Sequence, residues 1–187
     1  RALYEAVLAA DDRPWARLGI GRAEFEAGRA PATRRTLDAL LGRQPAYADG
    51  HDVLGRVQLE LGELDAALES YRAAARLTPA SIVRLQRQGM LAFRLGQTDE
   101  AVDTLERCVR IGIGSKLFDG QSLLLLALLH HDRRDAKAFA QVAGHLQRLL
   151  GDALGVDGPG SPPAADLLAP GILLALRSHG ETSAIIE

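Results

Sequence analysis

Three groups of residues in this chain have types and spacings that could do chemistry. His130, His131 and Asp132 are consecutive candidate metal ligands. Adjacent residues on a helix point about 100° apart, so the three do not converge on one ion, and they read as a polar helix end. Cys108 is the only cysteine, which excludes an intramolecular disulfide and a cysteine-based zinc or iron-sulfur centre within one chain. Cys108 and His51 therefore read as packing residues. Gly19-Ile20-Gly21 and Gly112-Ile113-Gly114 are incomplete dinucleotide fingerprints with no strand before them, and Gly114-Ser115-Lys116 runs opposite to a phosphate-binding loop. No cofactor, metal or catalytic residue is expected, and the chain reads as a non-enzyme. What remains is recognition: Arg22 and Arg56 suit a carboxylate, provided that the fold sets them side by side.

Composition limits the elements that could do this. A chain of 187 residues is enough for one ordinary domain with a real core. A charged fraction of 25% with a net charge of -2 excludes a disordered chain and argues against a nucleic-acid surface. The longest apolar runs, 123–129 and 172–176, fall far short of the roughly 20 residues of a membrane span. With 32 Leu and 31 Ala, few aromatics and sparse β-branched residues, the chain suits helices and not sheets. Arginine dominates the basic residues, only Lys116 and Lys137 being Lys, which points to a bacterial, GC-rich origin. The lone cysteine suits a reducing, cytoplasmic setting. The start at Arg1, without Met or leader, leads us to expect further sequence upstream.

The glycines reveal a period. Gly21, Gly55 and Gly89 form one column at a spacing of 34, and Gly28, Gly62 and Gly96 form a second in fixed phase with it. Phe25, Leu59 and Phe93 keep the same phase, as do Leu37, Tyr71 and Leu105. The unit is a helical hairpin. In its best copy Val53, Leu54, Val57 and Leu61 make one apolar face, Gly62 ends the first helix, Asp65 begins the next, and Ala67, Leu68, Tyr71, Ala74 and Ala75 face inward until Pro79. Gly55, inside the first helix, costs about 1 kcal/mol against Ala, so a close approach of the second helix is expected there. Neither helix buries its face alone, and stacked hairpins do.

Leu54-Gly55, Ala67, Tyr71 and Pro79 resemble the tetratricopeptide repeat. The resemblance implies an all-α fold, a right-handed superhelical stack of antiparallel helix pairs. Residues 1–13 then resemble the second helix of a preceding repeat, followed by repeats at 14–47, 48–81 and 82–118. The third carries an insertion loop around Gly112-Ile113-Gly114-Ser115-Lys116, where the period slips by about two or three residues. A repeat-like hairpin at 119–151, a linker at 152–166, a short helix at 167–180 packing on the solenoid and a tail at 181–187 complete the map. Pro170 can open that last helix and Gly180 close it. Its apolar side chains are expected either to cap the last hairpin or to fill the groove.

In such a stack the first helices line the concave side. The partner-binding groove is then Trp15, Leu18, Arg22 and Phe25, Asp52, Arg56 and Leu59, and Gln86, Met90 and Phe93. It is apolar with arginines, which suits a protein or an acidic peptide. The aromatic column reads equally as inter-helix core, and the two arginines equally as solvated. The Lys and Asn pattern of chaperone-tail-binding tetratricopeptide domains is missing. Self-association is left open. The stretches 14–19, 81–87 and 112–118 resemble bacterial response regulators that join a receiver domain to C-terminal tetratricopeptide repeats. That resemblance implies a two-component output scaffold, with the phosphoacceptor upstream of Arg1. The competing expectation is a scaffold of an envelope, pilus or secretion assembly.

Overall fold

The computed structural model describes residues 2–10, 13–115 and 120–154. Among these are nine helices and no strand: α1 (Ala2–Ala10), α2 (Pro14–Glu26), α3 (Ala30–Arg43), α4 (Ala48–Glu60), α5 (Leu64–Leu77), α6 (Ile82–Arg94), α7 (Thr98–Ser115), α8 (Gly120–Asp132) and α9 (Ala136–Leu154). The linker and short helix expected beyond residue 154, and Lys116 of the expected insertion, lie outside the described residues. The chain divides into two compact units, Arg1–Gln97 with α1 to α6 and Thr98–Glu187 with α7 to α9.

Each first helix ends in the same way. Gly28, Gly62 and Gly96 adopt φ of 68°, 74° and 72°, the left-handed region where a side chain is strained. Their amides donate to the carbonyls of Phe25, Leu59 and Phe93, and the amides of Arg29, Glu63 and Gln97 donate to those of Glu24, Gln58 and Ala92. This pair of bonds satisfies two carbonyls that the helix end would otherwise leave orphaned. The second helices end before Pro45 and Pro79, which cannot continue them.

In the first unit the hairpins α2–α3 and α4–α5 pack with α3 against α4 and α5 against α6. Leu18, Leu37, Leu40, Val53, Leu54 and Val57 form one buried cluster across the two hairpins. Leu61, expected on that face, is 38% exposed because it already belongs to the turn. A Cβ on Gly55 would sit 2.6 Å from the ring of Tyr71, so the glycine is what admits the tyrosine. Tyr4 of α1 does the same against Gly19, at 2.5 Å, while Leu3 points to solvent. Each hairpin also closes over one polar pair: the Thr36 hydroxyl donates to Glu24 at 2.8 Å, and the Ser70 hydroxyl to Gln58 at 2.7 Å. These positions stand one repeat apart and bury polar atoms at little cost because each is satisfied.

The second unit departs from the sequence reading in two places. Gly112 to Ser115, expected as an insertion loop, is the last turn of α7, which has 18 residues where α3 and α5 have 14. The extra residues amount to one helical turn, so the period slips by four and the direction of the chain is kept. The fourth left-handed residue is accordingly Arg134, at φ 57°. Its amide donates to His131 and that of Asp135 to His130, as at the three glycines. His130 therefore occupies the column of Glu24 and Gln58, and His131 that of Phe25 and Leu59. His130 is 4% exposed, within 3.5 Å of Glu106, and the His131 ring lies edge-on to Phe139. They lie in the last turn of α8, the helix end that the sequence suggests, but the added turn of α7 moves both into repeat positions and His130 is buried. Cys108 is buried beside Ser122, as packing requires.

Two outcomes follow from this geometry. Gly55→Leu should lower stability by about 2 to 3 kcal/mol in denaturant melts, because the new side chain meets the Tyr71 ring; a loss under about 0.5 kcal/mol would mean that the ring gives way. Arg134→Gly should raise stability by about 0.5 to 1 kcal/mol, since it removes the strain of a side chain in the left-handed region.

Candidate functional site

The face formed by α2, α4 and α6 in the first unit carries every residue of the expected groove, but these residues differ in what they can offer. Leu18 and Met90 are 4% and 8% exposed and belong to the interior, so no partner reaches them. Trp15 is 51% exposed, and its ring lies edge-on to Tyr4 of α1 with centroids 6.3 Å apart. Phe25, Leu59 and Phe93 are half-buried, each giving one side to the core and one to solvent. Gln86 is half-buried on α6.

Asp52 is held by an ion pair. It accepts from Arg87 of α6, and one turn earlier Asp49 accepts from Arg84. The two acids lie three residues apart on α4 and the two arginines three apart on α6, which makes a two-rung ladder between successive first helices. Such partly exposed pairs contribute about 0.2 to 1 kcal/mol each and mainly hold register. Sequence reading missed Asp49, Arg84 and Arg87. The signal was the matched spacing of three, offset by 35 along the chain, which the 34-residue columns conceal. A second set of ties joins the outer side: Arg34 grips Glu63 through two bonds of 2.5 and 2.6 Å, and Arg72 donates to Gln97 at 2.6 Å.

Arg22 and Arg56 remain. Both are exposed, and neither has a carboxylate partner among the described residues. The guanidinium of Arg56 lies over the Phe25 ring of the preceding repeat, 4.8 Å from its centroid. A planar guanidinium can stack on a ring and still grip a carboxylate with two bonds through its edge N–H donors. Arg22 stands near the Tyr47 hydroxyl, which burial and Asp49 push up and Arg22 opposes. The patch combines two cations, the Phe25 ring and a phenol within one repeat of each other. Among the described residues no cluster of three metal-ligating side chains exists, and both Gly-X-Gly segments lie inside helices and not at a strand-to-helix turn. No helix among the described residues is long and apolar enough to cross a membrane.

Residues 18–82 match one tetratricopeptide-repeat family model, and residues 85–111 match another. The chain carries tetratricopeptide repeats. Solved structures agree on the fold. MamA is 17% identical with a TM-score of 0.65, the match covering 81% of this chain and 85% of that one. YrrB, described as a tetratricopeptide-repeat protein with an unusual peptide-binding site, is 11% identical with a TM-score of 0.68, covering 78% and 73%. The pilF protein of Pseudomonas aeruginosa is 20% identical with a TM-score of 0.64, covering 89% and 71%. No curated protein is similar in sequence. The tetratricopeptide repeat is an interaction fold, so the face that it presents is the candidate site for a protein or peptide partner.

Tyr71, at the back of this face, reports on its integrity. Burial pushes its hydroxyl from 10.0 up to about 12, with Asp52 adding to the rise and Arg87 and Arg56 opposing it. The folded chain keeps this proton when the unfolded chain gives it up. The contribution is therefore fully present below pH 10 and is lost as pH rises toward 12. The wild-type protein should lose about 1.4 kcal/mol per pH unit in that window relative to Tyr71→Phe, measured by denaturant melts.

Proposed function

We propose that this chain is a non-catalytic interaction scaffold whose first unit binds an acidic peptide segment across α2 and α4. The observation that carries this reading is the pair Arg22 and Arg56, exposed and without a carboxylate partner among the described residues, on the face where Arg84 and Arg87 are both engaged. The contrast is informative. Arg34, Arg84 and Arg87 are each matched to an acid of a neighbouring repeat, so this sequence pairs its arginines where they serve the stack. Two cations left open on a half-apolar face suit a ligand that brings its own carboxylates and an apolar side chain for Phe25 and Leu59. Asp52, occupied by Arg87, positions that neighbour and does not contact the ligand.

The resemblance of stretches 14–19, 81–87 and 112–118 to receiver-linked regulators supports placing this scaffold as the output half of a cytoplasmic two-component protein. Phosphorylation would then act upstream and change the access of partners to this face, with no chemistry in the repeats.

A peptide with alternating Glu and Leu residues is a suitable probe. Arg22→Ala with Arg56→Ala should weaken its binding at least about tenfold, with an unchanged melting temperature, because exposed charges contribute to recognition more than to stability. Binding should also weaken with salt. Equal affinity of the double variant in calorimetry would place the site elsewhere.

A further inference from the structure

Glu106 and Arg110 of α7 stand four residues apart, in the order in which an acid and a cation on one helix pair best. No ion pair joins them. Elsewhere the chain does close such neighbours, Arg34 onto Asp38 in α3 and Arg72 onto Glu69 in α5. On α7 the acid turns to the buried His130 instead, with Oε1 3.5 Å from Nε2. Arg110 is exposed and has no carboxylate partner among the described residues.

A change inside the fourth hairpin turns the acid. His130 occupies the column of Glu24 and Gln58, which accept from the hydroxyls of Thr36 and Ser70 twelve residues on. The third hairpin has Ala92 in that column, with no polar side chain to satisfy. In the fourth the corresponding residue is Val142, which brings no hydroxyl, so the imidazole meets a carboxylate of α7 in place of a group from its own hairpin. The two lie at a groove. Helices α7 and α9 each pack on α8, and the space between them amounts to about 330 Å³. Ligand sites run from about 300 to 1,000 Å³, so this one suits a small molecule. Val109, Ile113, Leu126 and Val142 make its apolar wall, and Glu106, Arg110 and His130 its polar side, with Gln141 and His145 contributed by α9.

We infer that this groove binds a free aliphatic α-amino acid of the size of leucine. Arg110 takes its carboxylate, Glu106 takes its ammonium group, and Val109, Ile113, Leu126 and Val142 take its side chain. Charge decides the class of ligand. A carboxylic acid alone would bring a negative charge beside Glu106, and an amine alone a positive charge beside Arg110, whereas a zwitterion answers both. Spacing agrees with this choice. Neighbours four apart on a helix have Cβ atoms about 5 to 6 Å from each other, so one α-carbon can present its two charged groups to both side chains. The aliphatic wall then sets the preference among amino acids, because a polar side chain would lose its water there without a partner.

The test is calorimetric titration of the full chain with leucine, N-acetylleucine, leucinamide and glycine. Leucine should bind with a dissociation constant below about 1 mM. The other three lack the ammonium group, the carboxylate or the side chain, and each should bind at least about tenfold more weakly. Glu106→Gln and Arg110→Gln should each weaken leucine binding at least about tenfold and leave the helical circular-dichroism signal unchanged, because both side chains reach solvent. Leucine binding weaker than about 1 mM overturns the inference. So does N-acetylleucine that binds as tightly as leucine, which would assign the groove to the carboxyl end of a peptide. Undiminished leucine binding by both variants overturns it as well, since the amino acid would then sit elsewhere.

Discussion

A helix with one apolar stripe cannot bury it alone, and everything in this chain depends on turning the next helix back onto that stripe within a few residues. The left-handed residue that ends each first helix makes this possible. It takes the backbone into a region that glycine enters freely, and its two amide bonds close the helix end. The phase of every other column is set from there. Where the turn moves, as it does when α7 gains one helical turn, all columns of the following hairpin move with it. His130 and His131 then take repeat positions that their sequence numbers disguise.

Shape and charge divide the work between them. Close crossings at Gly55 and Gly19 let whole aromatic rings, Tyr71 and Tyr4, fill the space between helices. Register between hairpins is held by polar ties on both sides of the stack, Arg34 to Glu63 on one and the Asp49–Arg84 and Asp52–Arg87 rungs on the other. Individually these exposed pairs are weak. Their value is directional, because each acid accepts only where a particular arginine can reach. Against this background Arg22 and Arg56 are exposed cations without a carboxylate partner among the described residues, Arg56 lying over the Phe25 ring.

The chemistry of the first-helix face also changes along the chain. It carries the exposed Arg22 and Arg56 in α2 and α4, whereas α8 has the apolar run Leu123 to Leu129. The repeat scaffold tolerates both because its core columns are untouched by what faces outward.

By itself the sequence determined the helical class, the 34-residue period and the identity of the core columns. These follow from local rules: glycine where φ turns positive, proline where a helix must stop, and small residues opposite rings. The expected groove was legible in the same way, as a set of positions on one face. Tertiary structure alone decided which of those positions is available. Leu18 and Met90 are buried in the interior, and Asp52 is consumed by an arginine 35 residues on. The extra turn of α7 was invisible for a related reason. Gly112 and Gly114 look like a loop to local propensity, but a helix continues through them when packing on its buried side outweighs the roughly 1 kcal/mol that each glycine costs. Local preference is a matter of single residues and is readable one position at a time. Availability and helix length depend on what lies across the interface, and that is set only when the hairpins meet.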